Sequence, residues 1–158
     1  MNTGNRHMLI SDFDNAYQLD HTQMDQTHRE FVDLVNQIES CDQAAFKAGF
    51  QALVTHTEAH FAAEQLLMEQ SGFPATAEHT GEHQRVLGQL HQMCGRTEKG
   101  SVAMARAFVR EQLPGWFKLH AITMDSALAA HLKLARNRQF QSERGLPDVL
   151  TAGAARDD

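Results

Sequence analysis

The chain is poor in features that mark several large protein classes. It has two cysteines, Cys41 and Cys94, in 158 residues. That is too few for a disulfide framework and agrees with a reducing compartment. Proline and glycine are scarce, at three and ten residues, so the bulk should be globular. No apolar run approaches the roughly 20 residues of a membrane span. Positive charge is in deficit: the net charge is −6, which excludes the basic footprint of a nucleic-acid binder. The start, MNTGNRHMLISDFD, lacks the cationic and long apolar regions of a signal peptide. These absences predict a cytoplasmic protein with neither nucleic-acid nor membrane partners. β-type alternation is missing throughout, and no short repeat is present. What stands out is ten histidines in a chain with one tryptophan and one tyrosine.

Residues 1–20 are polar without a sustained period and read as an extended N-terminal arm. A 3.6-residue period then sets in. The first helix is expected over about 21–40, with Met24, Phe31, Leu34, Val35 and Ile38 inward. The second runs over about 43–70, capped by Ser40 or Asp42, with an inward stripe of Phe46, Phe50, Leu53, Thr57, His60, Glu64 and Leu67. SGFP (71–74) ends it, since glycine suits a C-cap and proline cannot continue a helix. The third spans about 75–94, with His79, His83, Val86, Leu90 and Met93 inward. GRTEKGS (95–101) reads as a loop, and Ser101 as the cap of a fourth helix to about 135. Pro114-Gly115 should kink or break that helix. The fold class is therefore all-α, an antiparallel up-down-up-down four-helix bundle over 21–135. Residues 136–158 read as a C-terminal tail, of the kind often disordered.

The apolar stripes are interrupted by potential metal ligands. His60 and Glu64 fall on the second stripe, and His79 and His83 on the third. His28 is one turn before Phe31, while His120 and Asp125 follow Trp116. Any one of these would ordinarily be a hydrogen-bonded core or boundary residue. Their coincidence on four helices is different, because isolated buried charges cost several kcal/mol or more unless paired or metal-bound. Five imidazoles and two carboxylates exceed a four-ligand zinc site. They suit two metals bridged by both carboxylates. With a shared oxo or hydroxo bridge, one metal is filled by three imidazoles and the other keeps one position open. Mixed imidazole and carboxylate ligation suits iron better than magnesium or calcium. His56 lies on the same stripe as His60, but a sixth imidazole would block the open position, so it reads as a bystander. His120 and Asp125 are five apart, about 140° around an ideal helix. Both reach one site only from its two flanks or through a local bulge.

The motifs DQTH (25–28), HFAAEQLLM (60–68), HTGEH (79–83) and WFKLHAITMD (116–125) resemble, in order and spacing, those of single-domain bacterial hemerythrins. The resemblance covers most of residues 20–130. It implies a non-haem di-iron site, with an oxo or hydroxo bridge, that binds O₂ reversibly and is not an enzyme. Carried over, His79, His83 and His120 would hold the filled iron, His28 and His60 the open one, and Glu64 and Asp125 the bridges. Where the family usually has a second glutamate, this chain has Gln65, which faces away from the ligand stripe. Phe13 and Tyr17 stand for the family's aromatic arm. Phe31, Phe61, Val86, Trp116 and Ile122 neighbour the ligands, so several are expected to wall the O₂ pocket. Oligomeric state is open, with a monomer favoured.

Three rival readings compete with this one. HTGEH fits the H-x-x-E-H pattern of inverted zinc proteases, with Glu82 as general base, but Gly81 weakens the helix and no separate third ligand exists. A ferritin-like di-iron oxidase would carry Glu-x-x-His pairs, and none of the ten histidines has a glutamate three residues before it. A sensor of O₂ or nitric oxide would need a separate protein partner for its output.

Overall fold

The computed structural model describes residues 8–144. Seven α-helices occur among them: α1 (Phe13–Ala16), α2 (Thr22–Glu39), α3 (Gln43–Ser71), α4 (Thr76–Glu98), α5 (Ala103–Glu111), α6 (Leu113–His120) and α7 (Ser126–Glu143). A single π-helical turn, Ala121–Asp125, joins α6 to α7. Helices α2, α3 and α4 and the composite α5–α7 form the four-helix bundle. No helix among the described residues is long and apolar enough to cross a membrane.

The short connections have local causes. The Asp42 side chain accepts from the Ala45 N–H at 2.9 Å and so caps α3, satisfying an otherwise orphaned donor. Gly72 ends α3 in the left-handed region, φ 64°, and the Phe73 N–H returns to the Met68 carbonyl at 2.9 Å. The expected break in the fourth helix falls at Gln112, with Pro114 in the first turn of α6, where its missing N–H costs nothing. Three boundaries differ from expectation. Helix α4 continues to Glu98, and α5 starts after Val102 without a Ser101 side-chain cap. Helix α7 persists to Glu143 although its apolar period has faded. The outer parts of the predicted arm and tail, 1–7 and 145–158, lie outside the described residues.

The arm is less extended than its composition suggests. It carries α1 and buries Ile10, Phe13 and Tyr17. The Asn36 side-chain amide pairs with both backbone groups of Ile10, at 3.1 and 2.8 Å. The buried Asp25 carboxylate accepts from the Leu19 and His21 N–H groups at 2.7 and 3.1 Å. Those anchors sit on α2, so the arm lies against the bundle.

The core falls into two apolar clusters. The larger contains Phe31, Val35, Ile38, Phe50, Leu53, Val86, Leu90, Val109 and Phe117. The smaller contains Met24, Met68, Phe73, Leu128 and Ala129. Along the chain the candidate ligands lie between members of the two clusters: His28 between Met24 and Phe31, Glu64 between Leu53 and Met68, and His79 and His83 between Phe73, just before α4, and Val86. Close helix approach below this polar layer depends on Gly49, where an added Cβ would overlap Ile38 Cγ2. Ile38 is buried and β-branched, so it cannot swing away. Gly49→Ala gains about 1 kcal/mol of helix preference, against an overpacking cost of about 1–3 kcal/mol. We expect net destabilisation, read as a lower urea midpoint. An unchanged or higher midpoint would refute the close approach.

Candidate metal centre

Seven side chains converge at the layer between the clusters: His28, His60, Glu64, His79, His83, His120 and Asp125. None is more than 6% exposed. Their donor atoms form two overlapping groups, each spanning less than 4.8 Å: Glu64, His79, His83, His120 and Asp125 in one, His28, His60 and Glu64 in the other. All five imidazoles point Nε2 inward. Glu64 turns Oε1 toward His60 and His28, at 2.9 and 3.6 Å, and Oε2 toward His83 and His79, at 3.3 and 3.5 Å. Asp125 turns Oδ2 toward His28 at 3.2 Å and Oδ1 toward His79 and His120, both at 3.1 Å. Each carboxylate thus presents one oxygen to the two-imidazole half and one to the three-imidazole half.

The π turn supplies the Asp125 position. Its Ser126 N–H bonds to the carbonyl of Ala121, five residues back. The wider turn lets His120 and Asp125, five apart, face the same interior, which an α-helix would set about 140° apart. Of the two alternatives the spacing allowed, the bulge is the one present.

Several buried polar atoms have no hydrogen-bond partner among the described residues: His28 Nε2, Glu64 Oε2 and both Asp125 oxygens. They stand 3.1–3.6 Å from imidazole or carboxylate neighbours without hydrogen-bond alignment. Three Nε2 atoms also crowd together, His120 lying 3.1 Å from His79 and 3.0 Å from His83. Cis ligands of one ion with bonds of about 2.1 Å would stand about 3 Å apart. Buried unpaired donors of this kind fit cations, and the residues fit a pair of them.

Protons hold the same charges when metal is absent. Burial opposes charge on His28, but contacts with Asp125 and Glu64 outweigh it and raise the imidazole from 6.5 to about 9. His79 is raised to about 9 by the same balance. Burial and the Asp125 charge work against ionised Glu64, yet His28, His60 and His79 hold it well below the usual carboxylate range. Asp125 is also held low, against burial, by His120, His28 and His79. His83 goes the other way: burial pushes it down to about 3, so it stays neutral.

Aromatic planes enclose the layer. Phe61 lies parallel to His83 with centroids 3.6 Å apart, and Trp116 lies over His120 at 5.0 Å and 23°. Both therefore wall mainly the three-imidazole half. Phe31 stacks on Phe117 at 5.1 Å, and Phe117 stands edge-on to His28 at 5.6 Å. Val86 is buried in the larger cluster. Ile122, expected to line the pocket, is 47% exposed. Two residues beyond His120, it turns outward while Ala121 and Asp125 turn in. Phe117 was missed in its place, although it precedes His120 by three residues, the spacing of one helical face.

The other histidines among the described residues have their own partners. His56 Nε2 pairs with the Thr27 carbonyl of α2 at 3.1 Å, a turn from the donors. His21 caps α2 by accepting from the Met24 N–H at 3.3 Å. His91 pairs with Glu58 at 2.6 Å, and His131 with the Ser71 carbonyl at 2.9 Å. Gln65 receives the Thr80 hydroxyl outside the layer.

Fold and donors together define a four-helix bundle with a buried, histidine-rich cluster able to hold metal and two carboxylates facing both of its halves. Residues 20–140 match the hemerythrin HHE cation binding domain family, and the chain belongs to the hemerythrin family. It is 33% identical over 148 residues to a bacteriohemerythrin of Ralstonia nicotianae, covering 94% of this chain and 100% of that protein. A bacteriohemerythrin of Stenotrophomonas maltophilia is 29% identical over 124 residues, 76% of this chain and 79% of the relative. The crystal structure of a hemerythrin mutant with leucine replaced by tyrosine is similar in fold. Its TM-score is 0.70 at 20% identity, and the match covers 80% of this chain and 98% of that one.

Proposed function

We propose that this protein binds O₂ reversibly at a non-haem di-iron centre and is a binding protein rather than an enzyme. The observation that carries this reading is the division of donors: three imidazoles in one half, two in the other, and two carboxylates facing both. His79, His83 and His120 would hold one iron, His28 and His60 the other, with Glu64 and Asp125 across both and an oxo or hydroxo bridge between. The donor set leaves the two-imidazole half one ligand short, where a small molecule would fit. When bound, a pair of irons would supply the two electrons that reversible O₂ binding requires.

The chain's own residues do three things. The two carboxylates neutralise cation charge inside an apolar bundle. The imidazoles must offer Nε2 lone pairs, so His28 and His79 give up protons as metal enters. Loading therefore releases protons and weakens in acid. Phe31, Phe61, Trp116 and Phe117 keep water from the layer, which protects against irreversible oxidation.

Iron content and visible spectra under nitrogen and air test the reading. We expect two irons per chain, a nearly colourless reduced protein, and visible bands that appear in air and fade when O₂ is removed. A reconstituted protein holding well under two irons, or one with no optical response to O₂, would overturn it.

A further inference from the structure

Glu82, the acid inside HTGEH, is free of the donor layer and has another partner. Its Oε1 accepts the indole N–H of Trp116 at 2.9 Å. The carboxylate is held in turn by Arg85, which donates from Nε and Nη2 at 2.9 and 2.6 Å. A general base for hydrolysis would need a free carboxylate facing a metal-bound water, whereas this one is spoken for on both sides. The motif's glutamate thus serves a different end.

That end is visible in what Trp116 covers. The indole lies at 23° to the His120 ring, and edge-on to Phe61, which itself stacks on His83. Metal-bound imidazoles are usually oriented by a hydrogen bond from their second nitrogen. His120 Nδ1 is buried and has no partner among the described residues. Its ring plane is therefore set by packing, and the largest plane against it is the indole. Trp116 is only partly buried; it packs edge-on to Phe31 and Phe61, and its N–H bond to Glu82 is the directional contact that fixes its angle.

We propose that Glu82 is a positioning residue for the ligand His120, acting through Trp116: the Arg85–Glu82–Trp116 chain locks the indole over the imidazole and closes the three-imidazole half to water. This rests on His120 being a ligand, as the proposed function has it. The closure matters because water reaching that half would speed loss of iron and oxidation of the centre.

Trp116 is the single tryptophan of the chain, so its fluorescence reads the clamp directly. In the metal-free protein, Glu82→Ala should shift emission to the red and make it more accessible to acrylamide. Glu82→Gln, which keeps an accepting oxygen, should restore wild-type emission. In the iron-loaded protein, Glu82→Ala should release iron to a chelator and lose its oxygenated spectrum about tenfold faster, the low end of what outer-shell partners contribute. Glu82→Gln should stay within about twofold of wild type on that scale. Unchanged emission in Glu82→Ala overturns the clamp. So does altered emission with unchanged iron release, because the indole then moves without consequence for the ligand. A wild-type protein that keeps two irons but ignores O₂ defeats the functional reading alone, and emission and iron release still decide on Glu82.

Discussion

Glu64→Ala should leave a protein that cannot hold a pair of irons. Iron per chain should fall from two to one or none, and the bands that appear in air should vanish. Glu64 is the only side chain among the described residues that belongs to both donor groups. Its loss therefore takes an oxygen from each half at once, whereas loss of an imidazole weakens one half. Asp125 alone cannot compensate, since its two oxygens already face His28 on one side and His79 and His120 on the other. His56→Ala is the informative contrast. It removes an imidazole four residues from His60 on the same helix, but one that pairs with the Thr27 carbonyl. It should keep two irons and the full optical response. Two irons retained in Glu64→Ala, or one lost in His56→Ala, would show that the donors are wrongly assigned. Elemental analysis and spectra under air answer both.

Chelation should make stability depend steeply on pH in the alkaline direction. In the metal-free fold, His28 and His79 bind their protons more tightly than in the unfolded chain, with values raised from 6.5 to about 9. Their contribution is complete below pH 6.5 and is lost as pH rises through about 9. Glu64 and Asp125 act in the opposite sense, with values held below those of the unfolded chain. Their contribution is present above the ordinary carboxylate values and is lost in acid. His83, pushed from 6.5 to about 3, also erodes stability below pH 6.5. The metal-free protein should therefore be most stable near pH 6.5 and weaken toward pH 9. One pKa unit is about 1.4 kcal/mol, and 1 kcal/mol moves a domain of this size by about 2–4 °C. The melting temperature should thus fall by on the order of ten degrees over that range. Iron-loaded protein should show little of this slope, because cations replace the two protons. Melting of chelated and loaded samples at pH 6.5 and 9.5 checks it. A flat chelated profile, or the same slope in both, would contradict protons acting as stand-ins for metal.

The donor residues were legible because each breaks an apolar period, and a period is what side-chain chemistry writes most clearly into a sequence. His60 and Glu64 stand where leucines would otherwise stand, as do His79 and His83. Backbone register is written less clearly. The His120–Asp125 spacing raised the choice between flanking ligands and a bulge, but no residue type in AITMD selects a π turn. The outward turn of Ile122 is illegible for the same reason: adjacency to a ligand says nothing of phase. The packing of the arm is hard to read because its three buried residues, Ile10, Phe13 and Tyr17, keep a helical spacing for only two turns, too short a run to stand out from polar neighbours. The arm is tied down by polar side chains of α2 instead: Asn36 holds Ile10, and Asp25 holds Leu19 and His21. Helix α7 outlasts its apolar pattern because local propensity extends it beyond the core.

The π turn means that part of this site is stored as length rather than as identity. No side chain among Ala121, Ile122, Thr123 and Met124 has to touch a metal for the turn to matter, so replacing each in turn would leave the feature in place. Losing any one of them would shorten the spacing from His120 to Asp125 and return the segment to an ordinary helix. Two chains could therefore share every ligand and still differ in their centres, by one residue in the count between two of them.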